Sequence, residues 1–165
     1  MANYCRARVP GGLYFFTVVT AARQPFLTRN IDALRLAFSS TKSKHPFRMN
    51  AYVVLPEHMH CIWTLPNDDS DFSTRWRLIK SRFGHIVRGR AGMHDIWQPR
   101  FWEHVIRDDR DFTNHLDYIH YNPVKHDFVE CPADWHLSSF HHYVKAGLYS
   151  REWAAAPTIS RLDFE

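Results

Sequence analysis

Two groups of residues have types and spacing that chemistry could use. The first is His58-Met59-His60. On a strand, side chains at i and i+2 leave the same face, so the two imidazoles would stand side by side, roughly 7 Å apart at Cβ. Two neutral imidazoles so placed can converge on one divalent metal. A chain with 12 histidines also produces such a pair incidentally. The second group is Tyr118 and Asn122, four residues apart. At helical spacing Phe112, Leu116 and Ile119 share an arc suited to a core, while Asp111, His115, Tyr118 and Asn122 share an adjoining stripe. A phenol and an amide there could address one site. An interfacial tyrosine and a helix-terminal asparagine would read the same way. Tyr121 falls further from the core than Tyr118.

The elements that must hold these residues follow from pattern. Leu13 to Thr20 (LYFFTVVT), Phe47 to Leu55 (FRMNAYVVL) and His58 to Leu65 (HMHCIWTL) read as strands, the last two as an antiparallel hairpin turning at Pro56. A helix is expected from about Asn30 to Lys44, with Ile31, Leu34, Leu36 and Phe38 as its apolar positions, and another from Phe72 to about Val87. Phe101 to Ile106 reads as a fourth strand. Asp108 can cap a helix running to about Tyr121, stopped by Pro123, and a short helix is expected near His141 to Leu148. The residue before a proline is biased away from helical geometry, which puts the position of Asn122 at stake. Cys61 should face away from the histidine pair, into the core. The order β-α-β-β-α-β followed by a helix is α+β: a ferredoxin-like antiparallel sheet with an appended C-terminal helix that carries Tyr118.

The 165 residues are enough for one domain, expected over 1–149, with a C-terminal tail at 150–165. Composition is globular: 45% hydrophobic and 23% charged. No apolar run is long enough for a membrane span, and the N-terminus lacks a signal-peptide pattern. Cys5, Cys61 and Cys131 have no CxxC spacing, so neither a disulfide framework nor a zinc ribbon is indicated, and a reduced cytoplasmic setting is the default. The net charge of +4 suits a nucleic-acid partner without demonstrating one.

Three segments, VVLPEHMHCIWTLP (Val53 to Pro66), WQPRFWEHVIR (Trp97 to Arg107) and LDYIHYNPVKH (Leu116 to His126), resemble in that order the REP-associated tyrosine transposases, single-tyrosine relatives of the HUH insertion-sequence transposases. The resemblance spans about Tyr14 to Tyr149. It implies that His58 and His60 are metal ligands, Tyr118 the nucleophile and Asn122 a third ligand, standing where the insertion-sequence relatives carry glutamine. Asp127 departs from the family's usual glycine, which matters to a loop that needs positive φ but not to the chemistry.

The implied activity is a metal-dependent transesterase on single-stranded DNA. It would cleave and rejoin at REP-like hairpins beside a tetranucleotide guide, through a 5′-phosphotyrosine and a free 3′-hydroxyl. Covalent catalysis keeps the bond energy, so rejoining needs no ATP. A phenol with a pKa near 10 is a weak nucleophile at neutral pH, so Mg²⁺ or Mn²⁺ would work mainly on the phosphate. The alternatives are a hairpin-binding protein that does not cleave, and a phosphodiesterase that uses water. Around the second helix Arg75, Arg77, Lys80, Arg82, Arg88 and Arg90 make the segment basic; of these Arg75, Arg77, Lys80 and Arg82, and Arg100 with Trp97 and Trp102, could follow a DNA backbone and stack bases. A charge-rich helix is as often a solvated face. Glu57 could orient a histidine or simply be solvated, and His115 could handle a proton or be structural. His141 and His142 are adjacent, so their side chains should diverge. Location would be cytoplasmic and nucleoid-associated, and the state monomer or homodimer.

Overall fold

Alternation along strand β1 (Leu13–Val19) sends Tyr14, Phe16 and Val18 to one face of a sheet and Phe15 to the other. Helix α1 (Ile31–Lys44), strands β2 (Arg48–Val54) and β3 (His58–Thr64), helix α2 (Phe72–Ala91), strand β4 (Trp102–Val105) and helix α3 (Asp109–Lys125) follow, and α4 (Phe140–Lys145) closes the series. The computed structural model describes residues 5–91 and 95–153. The sheet order is β2-β3-β1-β4 with every pair antiparallel, the ferredoxin-like arrangement expected from the element order. The fold class is α+β.

Each face of the sheet carries its own core. On one face α1 and α2 pack around Phe16, Cys61, Trp63 and Trp76, the two indoles stacked at 4.5 Å between centroids. On the other, Leu116 and Ile119 of α3 meet Phe15, Val53 and Ile62. Full burial of each such side chain is worth about 1.5–3 kcal/mol. Cys61 thus points away from the histidines, as the alternation requires.

Pairing register decides what stands beside the histidines. Thr17 of β1 lies opposite both His60 of β3 and Trp102 of β4, and Val19 lies opposite His58. The β2–β3 hairpin turns through Pro56 and Glu57, with the Leu55 N–H donating to the His58 carbonyl. The loop after β1 fixes that turn: the Thr20 N–H donates to the Glu57 carbonyl and the Leu27 N–H to the Pro56 carbonyl. His58 is therefore set at the rim of the sheet, at the start of its strand.

Several expectations change. Leu36, counted as an apolar-face residue, is 55% exposed; Ala33, Leu34, Ala37 and Thr41 form the buried side of α1. Helix α2 continues past Val87 to Ala91, and α4 covers 140–145 rather than 141–148. The larger difference is at α3. Asp108 caps it as expected, accepting from the Asp111 N–H, but Pro123 does not stop it. The proline costs the helix one N–H bond, but only Val124 and Lys125 follow it before the helix ends. The end is closed instead by paired bonds, the Asp127 N–H to the Val124 carbonyl and the Phe128 N–H to the Pro123 carbonyl. Asp127 takes the left-handed conformation at φ 58°, where the resembled family's glycine would sit without strain. Asn122 accordingly remains on the helix. Residues 154–165 of the expected tail, and the Arg90 side chain, lie outside the described residues.

Candidate functional site

His58, His60, Tyr118 and Asn122 are all buried and converge between the β3–β1 face and α3. The His58 and His60 rings are 5.0 Å apart, and the Tyr118 ring is 5.1 Å from His60. Asn122 Oδ1 is 3.2 Å from His58 Nε2. At the outer nitrogens, Glu57 Oε1 lies 3.1 Å from His58 Nδ1 and Thr17 Oγ1 lies 2.8 Å from His60 Nδ1. Outer partners of this kind fix the ring orientation and leave Nε2 as the nitrogen offered to a ligand.

Burial holds the His60 imidazole well below the usual histidine range, with His58, His126 and Lys125 adding to the effect. It is therefore a neutral donor. A neutral His58 that donates from Nδ1 to Glu57 presents a lone pair at Nε2, and the Asn122 carbonyl oxygen presents another 3.2 Å away. In that tautomer both atoms can turn a lone pair to one cation; in the other, Nε2 donates to the Asn122 oxygen. Adjacent ligands of an octahedral cation with bonds of 2.0–2.1 Å stand about 3 Å apart, so the donor set fits a divalent ion.

Three neighbours of this site do not emerge from sequence spacing as read above. Lys125 Nζ is 3.4 Å from the Tyr118 hydroxyl and 4.9 Å from its ring centre. The His126 ring is 4.9 Å from that of His58. Both follow from the continuation of α3 through Pro123, since Lys125 is seven residues and two turns beyond Tyr118. Carrying the helix stripe past the proline would have found them. Thr17 had no signal before the register was known.

His115 lies on the predicted stripe but belongs to a neighbouring cluster. His104 Nε2 is 2.8 Å from Asp111 Oδ2, and His115 Nδ1 is 2.8 Å from the Asp111 carbonyl and 3.1 Å from Oδ1. Burial raises the Asp111 carboxyl, but the bonds from His104 and the Arg107 N–H outweigh it and leave the group below its ordinary value. These three residues are the one His/Cys/Asp/Glu group among the described residues with ligand atoms close enough to hold a metal. Their mutual hydrogen bonds satisfy the geometry without one.

The residues expected to touch DNA separate into two sets. Arg75 is 2% exposed, and its guanidinium is spent inside the fold on the Asp71, Pro46 and His45 carbonyls and on Asp69 Oδ2 at 2.7 Å. It is a structural residue, not a backbone contact. Lys80 is half-buried and donates to the Gln98 carbonyl; burial lowers its ammonium to about 8. Arg82 donates to Thr41 Oγ1, and the Trp97 indole donates to the Lys80 carbonyl. Arg77 and Arg100 are exposed and Trp102 is 40% exposed. Helix α2 packs on the sheet face opposite the histidines, whereas Trp102 lies on the histidine face, 5.8 Å from Phe15. His141 turns to the Trp135 carbonyl while His142 is exposed, so this pair diverges. No helix among the described residues is long and apolar enough to cross a membrane.

No family model matches the chain. It is 50% identical over 159 residues to a REP-associated tyrosine transposase of Escherichia coli K12, covering 96% of this chain and 94% of that one. It is 42% identical to a Haemophilus influenzae protein described as a candidate REP-associated tyrosine transposase, covering 96% and 97%. Among solved structures, a REP-associated tyrosine transposase bound to a REP hairpin superposes with a TM-score of 0.89 at 49% identity, over 99% of this chain and 95% of that one. A candidate transposase of Deinococcus radiodurans R1 shares the fold, with a TM-score of 0.50 at 12% identity over 68% and 92% of the two chains. With half its residues shared along nearly the whole length of such a relative, the chain belongs to the REP-associated tyrosine transposases.

Proposed function

We propose that this transposase is a metal-dependent transesterase that cleaves and rejoins single-stranded DNA at REP-like hairpins, with Tyr118 as nucleophile and His58, His60 and Asn122 as metal ligands. The observation that carries the reading is the packing of the Tyr118 ring 5.1 Å from His60, in the pocket where His58 Nε2 and Asn122 Oδ1 face each other at 3.2 Å. The hairpin partner is suggested by a relative whose structure contains a REP hairpin.

A divalent cation, Mg²⁺ or Mn²⁺, supplies when bound a charge that offsets negative charge building on the phosphate; two imidazoles and an amide are neutral and leave that charge undiminished. His58 and His60 would hold it through Nε2, oriented by Glu57 and Thr17, with Asn122 completing the set through Oδ1. The Tyr118 oxygen attacks phosphorus, the bond to the 3′ oxygen breaks, and the strand remains joined to the protein as a 5′-phosphotyrosine. Attack by another 3′-hydroxyl reverses the step and restores the phosphodiester. Arg77, Arg100 and Trp102 are the exposed groups proposed to follow the DNA backbone and stack a base.

The test is a denaturing gel with end-labelled single-stranded DNA carrying a palindrome from the host genome, incubated with Mn²⁺. Label retained on the protein, and lost with chelator or in His58→Ala, is expected. Cleavage without an adduct, once rapid hydrolysis is excluded, would favour a water-using phosphodiesterase. Binding without cleavage would make the protein a hairpin binder.

A further inference from the structure

We infer that Lys125 is a catalytic residue of this strand transfer, its ammonium stabilising negative charge on the Tyr118 oxygen while that oxygen enters and leaves phosphorus. This rests on the reading of Tyr118 as nucleophile. The placement originates in the backbone. Residues i and i+7 fall on the same side of a helix, two turns apart. Lys125 reaches Tyr118 only because α3 runs through Pro123 and its last turn is held by the closing bonds at the Val124 and Pro123 carbonyls. The resulting contact has a direction: Nζ donates to the phenol oxygen at 3.4 Å, and the same nitrogen lies 4.9 Å from the ring centre. Both relations put positive charge against the reacting side chain.

In attack, the Tyr118 oxygen releases its proton to solvent and bonds to phosphorus. The bond from phosphorus to O3′ breaks with its electron pair going to O3′, which takes a proton from solvent. In resolution a 3′-hydroxyl loses its proton and attacks, and the bond from phosphorus to the tyrosine oxygen breaks with its pair going to that oxygen. The tyrosine oxygen thus bears negative charge on both passages, and a fixed ammonium beside it acts without reorganisation. Lys125 keeps its proton throughout. In-line displacement puts the entering and leaving oxygens on opposite sides of phosphorus, so a group touching the tyrosine oxygen is not placed to protonate O3′.

The test uses the full chain with a hairpin-bearing single strand and Mn²⁺, measuring adduct formation in single turnover. Lys125→Met is expected to slow it by about 100-fold, with hairpin affinity and thermal midpoint near wild type, and Lys125→Arg to recover most of the rate. Lys125→Gln replaces the methionine variant if that one does not fold. A second substrate carrying sulfur at the bridging 3′ position provides a leaving group that needs no proton. The methionine variant should lose the same factor on it. Recovery of the rate on the sulfur substrate would move Lys125 to the leaving group and overturn the inference. Adduct formation in Lys125→Met as fast as in wild type would also overturn it. No adduct in wild type would instead defeat the assignment of Tyr118 as nucleophile.

Discussion

Thr17 and His60 stand directly opposite each other on antiparallel strands, and the threonine hydroxyl meets His60 Nδ1 at 2.8 Å. The contact joins the edge of the proposed metal site to the register of the central strand pair. A slip of one residue in β1 would put a different side chain, facing the other core, opposite this imidazole. Sheet pairing therefore does chemical work here: it fixes which nitrogen His60 presents.

Thr17→Val keeps the shape of the side chain and removes the hydroxyl. Mn²⁺ affinity, measured by titration calorimetry, is expected to fall about 10- to 100-fold, while Thr17→Ser retains most of it. Unchanged affinity in the valine variant would show that the hydroxyl does not orient the ring.

Arg75 and Arg77 are neighbours in sequence with opposite expected phenotypes. Arg75→Met removes the buried partner of Asp69 and of three backbone carbonyls, and should cost about 3 kcal/mol in urea denaturation. Hairpin affinity of the folded variant should be unchanged. Arg77→Ala and Arg100→Ala should leave stability within about 0.5 kcal/mol and weaken hairpin binding, with a shallower salt dependence.

Acid should unfold the protein partly through His120. Burial, aided by the neighbouring His141, pushes its imidazole down to about 3, and its Nε2 is 2.9 Å from the Ser139 hydroxyl. The unfolded chain takes up a proton at this residue below about pH 6.5, and the folded chain does not. The contribution of this residue is therefore complete above pH 6.5 and is lost as pH falls toward 3, at about 1.4 kcal/mol per pH unit. Urea midpoints from pH 7.5 to 4.5 should fall more steeply in wild type than in His120→Gln.

Asp127 holds a left-handed conformation at the end of α3. Asp127→Gly removes the Cβ conflict and should stabilise the fold by about 0.5–1 kcal/mol, read as a higher thermal midpoint with adduct formation unchanged.

Much of this arrangement was legible in the sequence. The alternation in LYFFTVVT and HMHCIWTL located β1 and β3, and strand geometry alone put His58 and His60 on one face with Cys61 on the other. The 3.6-residue stripe correctly grouped Tyr118 with Asn122. What stayed hidden depended on contacts distant in sequence. Pro123 looks like a helix stop locally, but the turn closed by Asp127 and Phe128 carries α3 past it and brings in Lys125 and His126. Arg75 reads as one more surface charge until Asp69 and the His45 and Pro46 carbonyls are seen to enclose it. Leu36 has an apolar side chain, but its helical position faces solvent.

The central claim is that Tyr118 becomes joined to DNA. Wild-type protein trapped with a hairpin-bearing single strand and Mn²⁺, digested with protease and nuclease, should give by mass spectrometry a peptide containing Tyr118 with a 5′-phosphonucleotide on its phenol oxygen. Tyr118→Phe should give no such adduct. A nucleotide on Tyr121 or any other residue, or an adduct that persists in Tyr118→Phe, would contradict the account.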